Sequence, residues 1–205
     1  MAIRLAVDRD AAAIADIYAP FVESSATSFE TEAPSADEIR RRMQETMMTH
    51  PWLVCVCGGN VAGYAYATKH RLRTAYQWSV ETSVYVHGSF RRAGVGRGLY
   101  TSLFAILAAQ GFVNAYAGIT LPNDGSVALH ESLGFRPVGV YRTIGYKAGT
   151  WHDVGWWSLT IKEPPASPQA PVLLADAQRQ TGWDAMLSAG VPLIRAPGAC
   201  GHGSV

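Results

Sequence analysis

Residues 80–98 read VETSVYVHGSFRRAGVGRG, and they combine a strand-like run, a short turn, a basic glycine loop and the start of a helix. The strand carries one carboxylate, Glu81, among β-branched residues. Gly94 and Gly96 allow the backbone to approach a ligand closely. The N–H groups and dipole of the following helix attract an anion. The stretch therefore predicts a nucleotide cofactor, held by its phosphates beside a potential base.

Three arginines, Arg91, Arg92 and Arg97, add positive charge to this loop. A glycine-rich turn that enters an ordinary amphipathic helix is the alternative explanation, and a lone Gly-x-Gly does not decide between the two. The strand before the loop, together with a second motif further along the chain, favours the functional interpretation.

The second motif is residues 121–135, LPNDGSVALHESLGF. Asn123 and His130 are seven residues apart, which is nearly two turns of an α-helix. We therefore expect both side chains on one face of a helix, pointing into the same groove. A helix histidine without a special role is the alternative for His130.

Bulk properties exclude several classes of protein. The chain has 205 residues and a formal net charge of +1, so no global attraction to nucleic acid or anionic lipid is expected. Three cysteines are too few for a disulfide framework, and Cys55 and Cys57 have no matching ligands nearby that would favour a metal site. We see no signal peptide and no membrane-spanning run, so a cytoplasmic protein is expected.

Hydrophobic periodicity predicts the order β-α-α-β-β-β-α-β-α-β-β, an α/β (α+β) fold whose mixed, mostly antiparallel sheet is flanked by helices. The predicted strands are 3–7, 52–57, 61–68, 79–87, 113–121, 135–141 and 154–161, with a long loop joining the last two. The predicted helices are 10–22, 35–48, 97–110 and 126–133. We expect one domain over residues 1–163 and a Pro-rich linker with a tail over residues 164–205, in which a short helix over 176–187 is possible. The tail is either disordered or packed on the core through Trp183, Met186 and Leu187.

Both motifs resemble those of the Gcn5-related N-acetyltransferases (GNAT family), whose cofactor loop reads Gln/Arg-x-x-Gly-x-Gly/Ala. Here that loop is residues 91–96, RRAGVG. The family pattern then has an Asn, a Tyr seven residues later, and Leu-Gly-Phe or Leu-Gly-Tyr. His130 stands at the Tyr position, and this His-Glu-x-Leu-Gly variant resembles the phosphinothricin and methionine-sulfoximine N-acetyltransferases. The resemblance covers about residues 2–162.

The resemblance implies the GNAT fold, acetyl-CoA as co-substrate, no metal, and a homodimer. It also assigns a set of cofactor-binding residues in the two motifs. They are Val84, Tyr85, Val86, Arg91, Arg92, Ala93, Gly94, Val95, Gly96, Arg97, Asn123 and Ser126.

By the same resemblance, the reaction is direct transfer of the acetyl group to the α-amine of a small glutamate-like amino acid. Glu81 is the expected general base. Backbone N–H groups near Tyr85 and Val86 are expected to polarise the acetyl carbonyl. His130 is a second catalytic candidate, and three roles stay open for it: proton donor to the thiolate, helper in amine deprotonation, or substrate ligand.

Substrate contacts are expected from the loop over residues 69–76. Arg71 and Arg73 suit a phosphinate, sulfoximine or carboxylate. The remaining candidates that the resemblance implies are Phe29, Tyr76 and Ser83.

Three other functions stay open. Acetylation of a protein N-terminus or lysine predicts an open acidic groove, whereas this loop is basic. A non-catalytic acyl-CoA-binding module predicts loss of the base, whereas Glu81 and His130 are both present. A Rossmann-type nucleotide-binding protein fits the hairpin-rich order poorly.

Overall fold

The computed structural model describes residues 1–195, which form one seven-stranded sheet in the order β1-β2-β3-β4-β5-β7-β6. Neighbouring strands are antiparallel except β4 and β5, which are parallel. The mixed, mostly antiparallel sheet expected from the sequence is therefore confirmed. The strands are β1 (Ala2–Leu5), β2 (Trp52–Cys57), β3 (Asn60–Lys69), β4 (Ser79–Val86), β5 (Asn114–Leu121), β6 (Arg136–Lys147) and β7 (Thr150–Thr160).

Helices cover both faces of the sheet. Helices α1 and α2 enclose one apolar cluster against β2 and β3, and α3 lies over the main core on the opposite face. Helix α2 begins where its sequence predicts, since the Ser35 hydroxyl accepts from the Glu38 N–H at 3.2 Å. The helices are α1 (Ala11–Glu23), α2 (Ala36–Met47), α3 (Val95–Gln110), α4 (Asp124–Ser132), α5 (Leu174–Ala177) and α6 (Trp183–Ser188).

The β6–β7 hairpin differs from the expectation. In place of a long loop, both strands continue to a tight turn at Ala148 and Gly149, whose φ values of 51° and 80° suit a type I′ hairpin. The register shifts between Tyr141 and Gly145. Asp153 holds this irregular stretch by accepting from the Thr143 N–H at 2.7 Å. The prediction of a long loop was therefore wrong. The Asp153 carboxylate bonds to the backbone where the pairing of β6 and β7 is interrupted, so both strands continue past the irregular stretch.

The C-terminal segment packs on the core, which was one of the two alternatives considered. Trp183, Met186 and Leu187 contact the main cluster. The single helix expected over residues 176–187 is instead two short helices, because Gly182 takes a left-handed φ of 88° between them. Cys200 and the rest of residues 196–205 lie outside the described part of the chain.

Strands β4 and β5 separate after a short contact. They pair only over Ser79–Glu81 and Asn114–Tyr116, although they run on to Val86 and Leu121. We call the opening between residues 82–86 and 117–121 the wedge. It lies between antiparallel neighbours on both sides, so the sheet is open at its centre and intact elsewhere.

Candidate active site

The wedge contains a small polar cavity of about 60 Å³. Its walls come from both separating strands, and its floor comes from α3 and α4. The lining residues are Thr27, Thr82, Ser83, Val84, Tyr85, Tyr100, Ala117, Gly118, Ile119, Thr120, Asn123, Ser126 and His130. The two sequence motifs, whose first residues are about forty positions apart in the chain, therefore meet at one site.

Strand β4 presents backbone groups to the wedge from alternate residues. The His87 N–H donates to Ala62 O on β3 at 3.0 Å, and Ser79 O accepts from His70 N. Because an antiparallel ladder alternates its bonding residues, odd-numbered residues of β4 bond to β3 and even-numbered ones face the other edge. The Val84 and Val86 N–H groups thus face the wedge. Of the two residues expected to polarise a carbonyl, Tyr85 turns its N–H to β3 and Val86 turns its N–H to the wedge.

The basic glycine loop forms the outer end of the site. Gly94 caps α3 with a φ of 82°, and Arg92 also has a left-handed φ, of 62°. The first backbone bond of α3 runs from Gly98 N to Gly94 O at 2.9 Å. The three preceding helical N–H groups therefore point outward from the end of the helix. Successive N–H groups of this kind form a concave site for an anion.

A larger cavity, of about 520 Å³, adjoins this loop. Arg91, Arg92 and Arg97 line it on the loop side, and α4 forms the opposite wall through Gly125, Ala128 and Leu129. A Cβ on Gly96 would lie 3.1 Å from Leu129 Cδ2, so glycine allows α3 and α4 to approach closely here. The shape, the charge and the N–H groups fit a bound pyrophosphate.

Asn123 and Ser126 shape the start of α4. The Asn123 side chain caps the helix by accepting from the Ser126 N–H at 3.1 Å. Both residues line the wedge together with His130, as the spacing of Asn123 and His130 led us to expect.

His130 is buried, with an exposure of 4%. Its Nδ1 lies 2.8 Å from Ser126 O, and its Nε2 lies 3.1 Å from the Tyr100 hydroxyl. A carbonyl oxygen only accepts, so Nδ1 carries the proton and Nε2 accepts from Tyr100. Burial lowers the pKa of His130, which favours this neutral imidazole.

Glu81 is the last residue of β4 paired to β5 before the wedge opens. Its Oε1 lies 3.1 Å from His70 Nδ1 and 2.9 Å from a terminal guanidinium nitrogen of Arg71. The carboxylate is about one-third exposed, at 34%. The expected base and one expected substrate ligand, Arg71, are therefore in direct contact.

His70 is held tightly against this carboxylate. Its ring stacks on Tyr116 with centroids 4.4 Å apart, and Trp156 lies edge-on at 6.1 Å. Burial and the neighbouring Arg71 lower the pKa of His70, in that order of size. The Arg71 guanidinium in turn lies 5.8 Å from the Trp156 ring.

The other expected substrate residues are spread around this cluster. Tyr76 is close to His70, with ring centroids 6.3 Å apart. Arg73 is exposed and directly precedes the short helical turn that contains Tyr76. Ser83 lines the wedge. Phe29 packs instead on the β6–β7 hairpin, where a Cβ on Gly145 would lie 2.2 Å from its ring.

Tyr100 had no role in the sequence interpretation, and His70 entered it only as a member of the loop over residues 69–76. Tyr100 lies four positions after Gly96 on α3, so helical spacing from the glycine loop was a usable signal for it. His70 had no such signal, because its partners come from three different strands. Within residues 1–195, no group of three or more His, Cys, Asp or Glu side chains could hold a metal ion, and no helix is long and apolar enough to span a bilayer.

Comparison with known proteins agrees with this geometry. The family model of the acetyltransferase (GNAT) domain matches residues 3–156. A phosphinothricin N-acetyltransferase of Streptomyces viridochromogenes is 44% identical over 171 residues, covering 83% of this chain and 93% of the relative. An L-methionine sulfoximine/L-methionine sulfone acetyltransferase of Salmonella typhimurium is 34% identical over 172 residues, covering 83% and 99%.

Among solved structures, a GNAT superfamily phosphinothricin acetyltransferase from Sinorhizobium meliloti, in complex with AcCoA, superposes with a TM-score of 0.77. It is 31% identical, and the match covers 84% of this chain and 97% of that one. The family model and the identity to these relatives lead to one assignment. The chain belongs to the GNAT family of N-acetyltransferases.

Proposed function

We propose that this protein transfers the acetyl group of acetyl-CoA to the α-amine of a small glutamate-like amino acid, of the phosphinothricin, methionine sulfoximine or methionine sulfone type. The observation that carries the proposal is the Glu81 cluster, in which a carboxylate and an arginine meet where the wedge opens. The names of the relatives support the substrate class.

Acetyl-CoA supplies the activated acetyl thioester. The loop over residues 91–97 suits its pyrophosphate, because arginines and helix N–H groups converge there. The Val84 and Val86 N–H groups suit the polar pantetheine arm and the thioester carbonyl. Asn123 and Ser126 form the facing wall.

Glu81 acts as the general base. An α-amine is mostly protonated at neutral pH, and an ammonium has no lone pair for attack. Glu81 removes that proton, directly or through one water, and the free amine then attacks the acetyl carbonyl, with no covalent enzyme intermediate. The tetrahedral intermediate collapses as the C–S bond breaks, so that CoA leaves as its thiolate and the nitrogen gives up its second proton to form the amide. His70 positions the carboxylate from its stack on Tyr116.

Arg71 links substrate binding to the base. Its guanidinium pairs with Glu81. An acidic group on the substrate competes for the same guanidinium, and its binding would release the carboxylate for proton transfer. Arg73, two residues along the same exposed loop, offers a second cation.

His130 helps to accept the proton. Its Nε2 is a hydrogen-bond acceptor in the neutral ring, and it reaches the wedge through Tyr100. Of the three roles that the sequence left open for His130, the neutral ring favours help in deprotonating the amine over donation of a proton to the CoA thiolate.

We also propose that the protein is cytoplasmic and forms a homodimer through the edge strand β6. Several large apolar side chains are exposed along β6 and at the start of β7, and an unpaired apolar edge suits a second copy. They are Val138, Val140, Tyr141, Ile144, Tyr146 and Trp151. Light scattering should give twice the monomer mass, and a monomer alone would contradict this point.

The test is release of free thiol from acetyl-CoA with a panel of amines. We expect turnover with phosphinothricin, methionine sulfoximine and methionine sulfone, and little with free methionine, which lacks the second polar group. A lysine peptide is the control for the alternative activity. Turnover of the peptide alone, or of nothing despite tight CoA binding, would refute the proposed substrate class.

A further inference from the structure

The C-terminal segment runs along α3 and is first anchored at the end of that helix. The Val172 N–H donates to Gln110 O at 2.8 Å, and the Gln110 side-chain amide donates to Val172 O at 2.9 Å. Gln110 is the last residue of α3 and is almost fully buried. The reciprocal pair of bonds fixes where the segment begins to follow the helix.

Apolar side chains then hold the segment on the core. Leu174 and Ala177 are fully buried, and Leu174 belongs to the main cluster. Five further side chains of the segment pack against that cluster. They are Trp183, Met186, Leu187, Val191 and Ile194. The segment is therefore an integral layer of the fold, although the matched GNAT model ends at residue 156.

Near the other end of α3, the two backbones come into contact. A Cβ on Gly190 would lie 1.8 Å from Gly98 O, and a Cβ on Gly98 would lie 2.6 Å from Ile194 Cγ1. The Gly190 N–H donates to the buried Ser102 hydroxyl at 3.1 Å. Only glycine at both positions permits this approach.

The segment then reaches the glycine loop. The Arg195 N–H donates to Ala93 O at 2.8 Å. A Cβ on Gly94 would lie 2.2 Å from Leu193 O. Residues 193–195 therefore support the loop from behind, while its arginines line the cavity in front.

We propose that residues 190–195 are a positioning element of the acetyl-CoA site. They hold the loop, including the left-handed Arg92 and Gly94, in the shape that directs its N–H groups to the phosphates. Without this support the loop must be ordered when the cofactor binds, which weakens binding and leaves the chemical step unchanged. The inference rests on the proposed function, because it takes the ligand to be acetyl-CoA.

A pair of substitutions at Arg195 tests this. Arg195→Pro removes the N–H that holds Ala93 O, and the extended backbone of Ile194, with φ −100° and ψ 127°, suits the residue before a proline. Arg195→Ala removes the charge and keeps the N–H. We expect the CoA dissociation constant, measured by calorimetry, to rise about three- to tenfold in the Pro variant only. Gly190→Ala displaces the segment at a second point and should also weaken CoA binding.

A second thioester separates positioning from general loss of structure. S-acetylpantetheine lacks the pyrophosphate, so its kcat/KM should be the same in wild type, Arg195→Pro and Gly190→Ala. Equal losses with both thioesters, an unchanged CoA affinity in Arg195→Pro, or a loss of affinity in Arg195→Ala equal to that in Arg195→Pro would each overturn the inference. Failure of the unaltered protein to bind CoA would instead refute the proposed function.

Discussion

The two ends of the site are built in different ways. The proposed cofactor end is made mostly of backbone: N–H groups at the start of α3, glycines that permit close approach, and the open edge of β4. The proposed amine end is made of side chains, with Glu81, His70 and Arg71 held by aromatic rings from β5 and β7. The first depends on backbone geometry that residues 190–195 support from behind, and the second depends on the packing of side chains.

This difference implies that substitutions at the two ends impair different properties, cofactor binding at one end and reaction rate at the other. Damage to a backbone site removes binding, because no other group can replace a misdirected N–H. Damage to a side-chain cluster leaves the cofactor bound and changes the rate. The following predictions test that separation, starting with the largest effect.

Gly94→Val should abolish cofactor binding. Valine is strained at a φ of 82°, and its Cβ would lie 2.2 Å from Leu193 O. We expect the CoA dissociation constant to rise by at least roughly 100-fold. Calorimetry measures it, with Gly88→Ala as the matched control, because a Cβ there meets open space. Near-normal affinity in the valine variant would show that the loop is not the phosphate site.

Glu81→Ala should lower kcat by roughly 10²- to 10⁴-fold, with CoA affinity nearly unchanged. The carboxylate lies outside both cofactor cavities and contacts only the amine end. Steady-state kinetics and calorimetry on the same preparation separate the two effects. A variant that keeps its turnover at neutral pH would end the assignment of Glu81 as base. A variant that loses CoA binding would contradict the claim that the amine end can be damaged without affecting the cofactor end.

His130→Gln should have a smaller effect and change the pH profile. Burial lowers the pKa of His130 below its ordinary 6.5, so the ring stays neutral near pH 7 and is protonated only as the pH falls through this lower value. A proton acceptor must be neutral, so its contribution to kcat is lost on that acidic side. We expect kcat to fall about tenfold or more at pH 7, and the acidic decline to be smaller than in wild type. An identical pH profile in both proteins would contradict the proposed role.

The sequence predicted the strand, loop and helices of the proposed cofactor end well because they are contiguous. Residues 91–97 contain the glycines, the arginines and the start of α3 in one run, and the Asn123 to His130 spacing fits one helix. Local propensities and turn residues were enough to predict the succession of the main strands and helices along the chain. The family pattern then predicted acetyl-CoA as the co-substrate.

The amine end was less predictable. His70 gains its position from Glu81, Tyr116 and Trp156, which are distant in sequence and meet only in the folded sheet. The same holds for the C-terminal segment. Its short helices had no strong pattern, and its docking depends on two glycines, Gly98 and Gly190, that are 92 positions apart.

The separation of β4 and β5 also affects how the molecule responds to heat. Two halves of the sheet share only the Ser79–Glu81 and Asn114–Tyr116 pairing, so the sheet has its fewest internal bonds where the ligands are expected. A compound that bridges both strands adds contacts that exist only in the native state, and native-state binding raises the melting temperature in proportion to the logarithm of ligand concentration. Thermal shift assays therefore offer a direct way to rank thioesters and their analogues before any acceptor amine is known.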